Sequence, residues 1–321
     1  MLAGQIVGGA ARSWLSFLPT DRANSHVGRV IEVTDFGSNP GNLRMFVYAP
    51  SRRIGKGAPL IVVLHGCGQS AASFAAETGW VALAEQRGAS LLLPEQKRDN
   101  NRGNCFNWYR PGDVRRGEGE AHSVRQMVRA ATERFGSDPK RIFIVGLSAG
   151  GAMTAALLAA YPTVFNAGAV IAGMPVGAAF NGTTALLRMH RAEQFRGASA
   201  LADSVRSAAP VSKSRLWPRL SIWQGGNDRV VDPANAERLA LQWCTLHGFS
   251  ETATSDTMPL PGARRRVWNR RERALIELWT IEGFGHGVPM DVRSPGYAQV
   301  GSGVPYVGVS AADHIARFWR L

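Results

Sequence analysis

Cysteine is scarce in this chain, with only Cys67, Cys105 and Cys244 among 321 residues. That is too few for a disulfide scaffold, and none stands in C-x-x-C spacing, so no metal site is expected. Long apolar runs are also missing. The longest, such as residues 60–64, reach about a quarter of the roughly 20 residues a membrane-spanning helix needs, so no transmembrane segment is predicted. Lysine is nearly absent: Lys56, Lys97, Lys140 and Lys213 are four of 37 basic residues, and the other 33 are arginines scattered along the chain. Against 24 acids they give a formal charge of +13. That charge favours solubility and general affinity for acidic surfaces, but its scatter argues against a specific nucleic-acid site. The densest group, Arg264-Arg265-Arg266 with Arg270, Arg271 and Arg273, reads as a solvated strand-and-loop face. Residues 1–19 lack the charged start, continuous apolar core and small-residue cleavage site of a leader peptide. With no repeats and 45% hydrophobic residues, the composition excludes a disordered or fibrous chain.

What is present is an alternation of short apolar runs with longer amphipathic stretches, the pattern of βα units around a mostly parallel sheet flanked by helices. The reading is a tail over 1–28 and one α/β domain over 29–321. Residues 30–33 and 43–48 are expected as an antiparallel pair. Strands are then predicted at 60–64, 90–93, 142–145, 169–172, 220–223 and 275–281. Helices are predicted at 71–87, 121–135, 150–161, 234–246 and 311–319. Residues 175–215 break the rhythm with a small-residue, arginine-bearing insertion holding one helix near 186–196, a cap over a site.

Gly146-Leu147-Ser148-Ala149-Gly150-Gly151 lies between a β-branched strand and an alanine-rich helix, the context that makes G-x-S-x-G a nucleophile elbow. Its glycines permit a turn too tight for side chains, and the helix start aims N–H groups at a developing oxyanion. A serine needs a base, and the base an orienting carboxylate, both downstream at later strand ends. Asp228, in the loop after strand 220–223, is the candidate acid; Asp232, ahead of Pro233, reads instead as a helix N-cap. His286, flanked by Gly285 and Gly287, is the candidate base. His26, His190, His247 and His314 read as solvated or packing residues, and His122 as surface or supporting. The oxyanion donors are expected to be the amides of Ala149 and of Cys67, in the turn His65-Gly66-Cys67-Gly68-Gln69, with His65 holding that turn by hydrogen bonding. Cys244 reads as core.

Together with the string Asn104-Cys105-Phe106-Asn107-Trp108-Tyr109, these loops resemble the polyhydroxybutyrate depolymerase family of esterases, α/β-hydrolases related to feruloyl and acetylxylan esterases. The resemblance covers roughly residues 40–320. It implies an α/β-hydrolase fold and cofactor-free hydrolysis of carboxylic esters by Ser148, Asp228 and His286. It also implies substrate-facing roles for Trp108 and Asn107, and a Cys67–Cys105 disulfide. A disulfide fits an extracellular or periplasmic protein, whereas two free thiols and the missing leader would fit the cytoplasm. The chain lacks the linker and trailing binding module of enzymes that attack solid polymer, so hydroxyalkanoate oligomers or other short-chain esters are the expected substrates. Plant-wall esters or peptides on the same scaffold are the rival substrates, and an inactive hydrolase-fold binding protein is the rival that is not an enzyme.

Overall fold

The structure, a computed structural model, describes residues 30–51, 55–209, 217–291 and 307–321. The expected tail over 1–28 and the end of the insertion lie outside them. From the amino end come β1 (Val30–Val33), β2 (Arg44–Tyr48), β3 (Leu60–Leu64), α1 (Ala71–Glu77), α2 (Trp80–Arg87), β4 (Ser90–Glu95), α3 (Pro111–Val114), α4 (Gly119–Phe135) and β5 (Ile142–Leu147). There follow α5 (Ala149–Ala160), β6 (Ala167–Ile171), α6 (Gly182–His190), α7 (Ala198–Ala208), β7 (Arg219–Gly225), α8 (Ala234–Leu246), β8 (Ser255–Leu260), β9 (Ala263–Arg270), β10 (Arg273–Ile281) and α9 (Ala311–Trp319).

The strands form one sheet in the order β1-β2-β4-β3-β5-β6-β7-β10-β9-β8. Its six central strands run parallel, and the flanks β1-β2 and β9-β8 are antiparallel. Every residue of β3, β5 and β6 is buried. That is why these strands are continuous apolar runs rather than alternating ones, since helices cover both faces of a parallel sheet. On one face Met127 of α4, Leu157 of α5 and Trp243 of α8 join the core. On the other, Phe74 of α1, Trp80 of α2 and Ile315 of α9 do so, with Trp319 stacked on Phe143 at a centroid distance of 5.0 Å.

Three expectations need correction. The single helix over 71–87 is two, broken where Gly79 turns left-handed at φ 83°, a backbone state that a residue with a Cβ enters only at a cost. The helix near 186–196 begins earlier, at Gly182, because Asn181 and Thr184 form a reciprocal capping box, and it ends at His190; α7 follows it. Strand β4 runs through Pro94 to Glu95. The arginine group forms the expected strand-and-loop face: β9 pairs with β8 and β10, Arg271 stands in the turn between β9 and β10, and Arg264, Arg270, Arg271 and Arg273 are exposed, though part of the group is ion-paired. Arg264 bonds Asp256 at 2.6 Å, Arg265 bonds buried Glu277 at 2.7 Å, and Arg266 bonds Glu237. Among the described residues no helix is long and apolar enough to cross a membrane.

Candidate active site

The turn from β5 into α5 is as tight as its glycines require. A Cβ on Gly146 would come within 2.2 Å of the Gly150 carbonyl oxygen, and one on Gly150 within 2.4 Å of the Leu64 carbonyl oxygen. Ser148 itself sits at φ 56°, ψ −119°, a strained state for a residue with a side chain. Its own N–H is held by the Ile171 carbonyl at 2.9 Å. The alcohol therefore stands at the carboxyl end of the central strand, where α5 begins.

Two later strands supply the acid and the imidazole. After β7, Asp228 is buried, with Oδ1 accepting the amides of Val230 (2.8 Å) and Val231 (2.9 Å) and Oδ2 accepting Gln224 Nε2 at 3.0 Å. After β10, His286 Nδ1 donates to Asp228 Oδ2 at 2.8 Å. Burial opposes ionisation of Asp228, but the His286 hydrogen bond and the two amides outweigh it and hold the carboxyl below its ordinary range. The two loops are sewn together through backbone. Gly226 N donates to Ile281 O, Asn227 N donates to Phe284 O, and a Cβ on Gly225 would meet Gly285 O at 2.3 Å. Among the described residues no hydrogen bond joins Ser148 Oγ to His286. Asp232 accepts the amides of Ala234 at the start of α8 and of Ala192 in the insertion.

The turn after β3 lies against this elbow. His65 is fully buried. Its Nδ1 donates to Gly66 O at 2.7 Å, and its Nε2 accepts Gln96 N–H at 3.1 Å. Burial lowers its pKa to about 4, so the ring is a neutral brace. Among the described residues the amides of Cys67 and Ala149 donate to no protein acceptor. Cys67 and Cys105 form a disulfide, supported by Gly68 N to Gly103 O at 2.9 Å and Asn104 Nδ2 to Gln69 O at 2.9 Å. Cys244 is buried in the core, which pushes its thiol up to about 12.

A cavity of about 230 Å³ opens at Ser148 and Ala149, lined from the early half of the chain by Cys67, Cys105, Trp108 and Tyr109. Ala185, Leu186 and Met189 of α6 also line it, with Val231 from the loop that carries Asp228. Trp108 thus lines the cavity. Asn107 does not: it is 2% exposed, its Nδ2 donates to Glu120 Oε1 and its Oδ1 accepts from Asn101 Nδ2. Glu120, which the sequence reading passed over, is the centre of that buried polar group. Burial pushes its carboxyl up to about 7. Nothing in the local pattern marks it beyond an acid at the start of an amphipathic helix. The α6 residues were foreshadowed only as a capping insertion.

A family profile described as Esterase PHB depolymerase matches residues 43–272. The chain is 38% identical over 304 residues to poly(3-hydroxyalkanoate) depolymerase C of Paucimonas lemoignei, covering 93% of this chain and 72% of that protein. It is 31% identical over 267 residues to feruloyl esterase B of Talaromyces funiculosus, covering 81% and 74%. With the acetylxylan esterase of Coprinopsis cinerea it shares 32% over 268 residues, covering 82% and 70%. Among solved structures, the acetyl xylan esterase from Aspergillus awamori superposes with a TM-score of 0.78 over 91% of this chain and 98% of that one. At 21% identity that likeness speaks to the fold. Elbow, strand-end loops and sheet order together make this an α/β-hydrolase, and the chain is an esterase belonging to the esterase PHB depolymerase family.

Proposed function

We propose that the protein hydrolyses short-chain carboxylic esters, hydroxyalkanoate oligomers among them, through an acyl-enzyme on Ser148. His286 takes the Ser148 proton as the alcohol attacks the ester carbonyl, and Asp228 holds the ring in the tautomer whose Nε2 is free to accept. The Cys67 and Ala149 amides receive the oxyanion, where fixed donors act without reorganising. The alcohol leaves with a proton from His286, and water activated by the same ring releases the acid. The observations that support this reading are the 2.8 Å His286–Asp228 hydrogen bond and a strained serine that opens onto a cavity. The mostly apolar lining, Trp108, Met174, Leu186 and Met189 among it, suits uncharged acyl chains over peptides. The disulfide fits an oxidising compartment such as the periplasm or the exterior.

A panel of p-nitrophenyl esters from acetate to decanoate, run beside hydroxybutyrate dimers and aryl-acid esters, tests the substrate class. Preference for aryl-acid esters would move the reading to the feruloyl type. Ser148→Ala is expected to abolish turnover and labelling by a fluorophosphonate while the protein stays folded. Retention of most activity would remove Ser148 as nucleophile.

A further inference from the structure

Both walls that approach Ser148 from the early half of the chain rest on one buried carboxylate. Glu120, 1% exposed at the start of α4, accepts three hydrogen bonds. Its Oε2 takes the Asn107 amide at 2.8 Å, and its Oε1 takes Asn107 Nδ2 at 2.7 Å and Gln96 Nε2 at 2.5 Å. Asn107 precedes Trp108 in the cavity wall, and its Oδ1 accepts from Asn101, a further lining residue, at 2.9 Å. Gln96 leads the other way. Its amide holds His65 Nε2, and its Nε2 also reaches Cys105 O at 3.0 Å. His65 in turn holds Gly66 O, one residue before the Cys67 amide.

The backbone of Glu120 is itself fixed. Its N–H meets Asp113 Oδ1 at 3.3 Å. Gly119 before it adopts φ 47°, where an added Cβ would lie 2.4 Å from Gly112 O, and a Cβ on Gly41 would lie 2.5 Å from Glu120 Cα. The backbone that carries the carboxylate is therefore held on both sides.

We propose that Glu120 is a positioning residue for ester hydrolysis, its carboxylate fixing the Cys67 oxyanion donor, through Gln96 and His65, and the Trp108 wall, through Asn107, as one rigid piece. The three groups facing it are all N–H donors, so only an acceptor on both oxygens satisfies them. A glutamine there keeps one acceptor and turns an amino group on at least one donor. The buried contact is then broken with almost no change of volume.

The inference rests on Ser148 being the nucleophile, and the test separates the two. Wild type, Glu120→Gln and Gln96→Leu are assayed at pH 8, above the value of about 7 to which burial raises the Glu120 carboxyl. Turnover of p-nitrophenyl acetate and butyrate is measured alongside the rate at which a fluorophosphonate labels Ser148, since both processes need the oxyanion donors. Glu120→Gln is expected to lower kcat at least tenfold for both esters with KM changed less than threefold, and to slow labelling by a similar factor. Gln96→Leu, which removes one of the three donors, should lower both rates at least threefold, and it serves if the first variant does not fold. In a cycle with Asn107→Ala, the double variant should be no worse than twice the poorer single one, because the two changes break the same contact. A kcat within twofold of wild type, or a kcat loss without slower labelling, overturns the proposal. A fall in thermal stability alone would leave Glu120 as ordinary scaffold and overturns it equally. Wild type that fails to label sinks the nucleophile and this inference together.

Discussion

Two parts of the cavity lining, one from the early half of the chain and one from α6, are built in different ways. The part formed by Cys67, Cys105, Trp108 and Tyr109 is crosslinked by the disulfide and braced from behind by His65, Gln96, Asn107 and Glu120, none more than 2% exposed apart from the cavity-facing residues. The part formed by α6 is a single short helix tied down mainly at its carboxyl end. There Asp232 N donates to Met189 O at 2.7 Å, Asn235 Nδ2 to Arg188 O at 3.0 Å and Ala192 N to Asp232 Oδ2 at 2.9 Å. Leu186 lines the cavity yet is 59% exposed, with Leu187 at 54% and Phe195 at 94% beside it in the same segment. A wall that must present an amide to a developing charge tolerates little movement, because misplacement there is felt in the barrier itself. A wall that only touches the acyl chain can shift and still function. The braced side is thus expected to govern rate, and the helical side to govern choice.

Asp228→Asn acts first on His286, and so sets the scale. It leaves His286 without its charged partner and with the wrong tautomer favoured, and should lower kcat by about 10³–10⁴-fold on every ester with little change in KM; steady-state kinetics on acetate and octanoate esters checks this. Breaking the braced wall comes next. Cys105→Ser, or reduction of the disulfide, should lower kcat by roughly tenfold, an effect on the order of 1–2 kcal/mol, equally across acyl lengths. Denaturant unfolding of the same variant should show a loss of about 2–4 kcal/mol, since the crosslink closes a long loop. A change in acyl preference instead would put selectivity on the wrong wall.

Smaller and opposite in kind is Met189→Ala. It enlarges the helical side, and should raise the preference for octanoate over acetate by about tenfold while acetate hydrolysis stays within about twofold. The smallest effect concerns acid. In the fold the ring of His65 is held neutral and its pKa falls from 6.5 to about 4. Its stabilising contribution is therefore complete above pH 6.5 and is lost as pH drops toward about 4, because the unfolded chain binds the proton first. Thermal midpoints measured over that window should decline, and the decline should be shallower in His65→Gln. His247 and His314, also lowered to about 4 by burial, leave a residual slope in that variant.

The central sheet and the elbow were legible because their signals are local. Buried parallel strands are continuous apolar runs, and Gly146, Gly150 and Gly151 are needed wherever backbone meets backbone. Asp228 and His286 were legible too, as strand-end residues among glycines, and the structure brings those two together. The β8-β9 flank was not, although the β1-β2 pair was. β8 is exposed along nearly its whole length and β9 carries arginines whose partners, Asp256, Glu277 and Glu237, lie on other elements, so no alternation announces them. Asn107 was misplaced for a related reason. The motif that carries it says it is near the substrate, but whether a side chain faces the cavity or the packing behind it depends on Glu120, thirteen residues on. The break at Gly79 was hidden because apolar spacing continues across it, and only the left-handed turn interrupts the axis.

At Gly150 the helix behind Ser148 rests against the carbonyls of Leu64 and His65 with no side chain between them. In the proposed mechanism, the spacing between the two oxyanion donors is therefore measured off in bare polypeptide, beyond the reach of most substitutions. On the proposed mechanism, substitutions in α6 are expected to change which acids are released, while the backbone at Gly150 keeps its geometry.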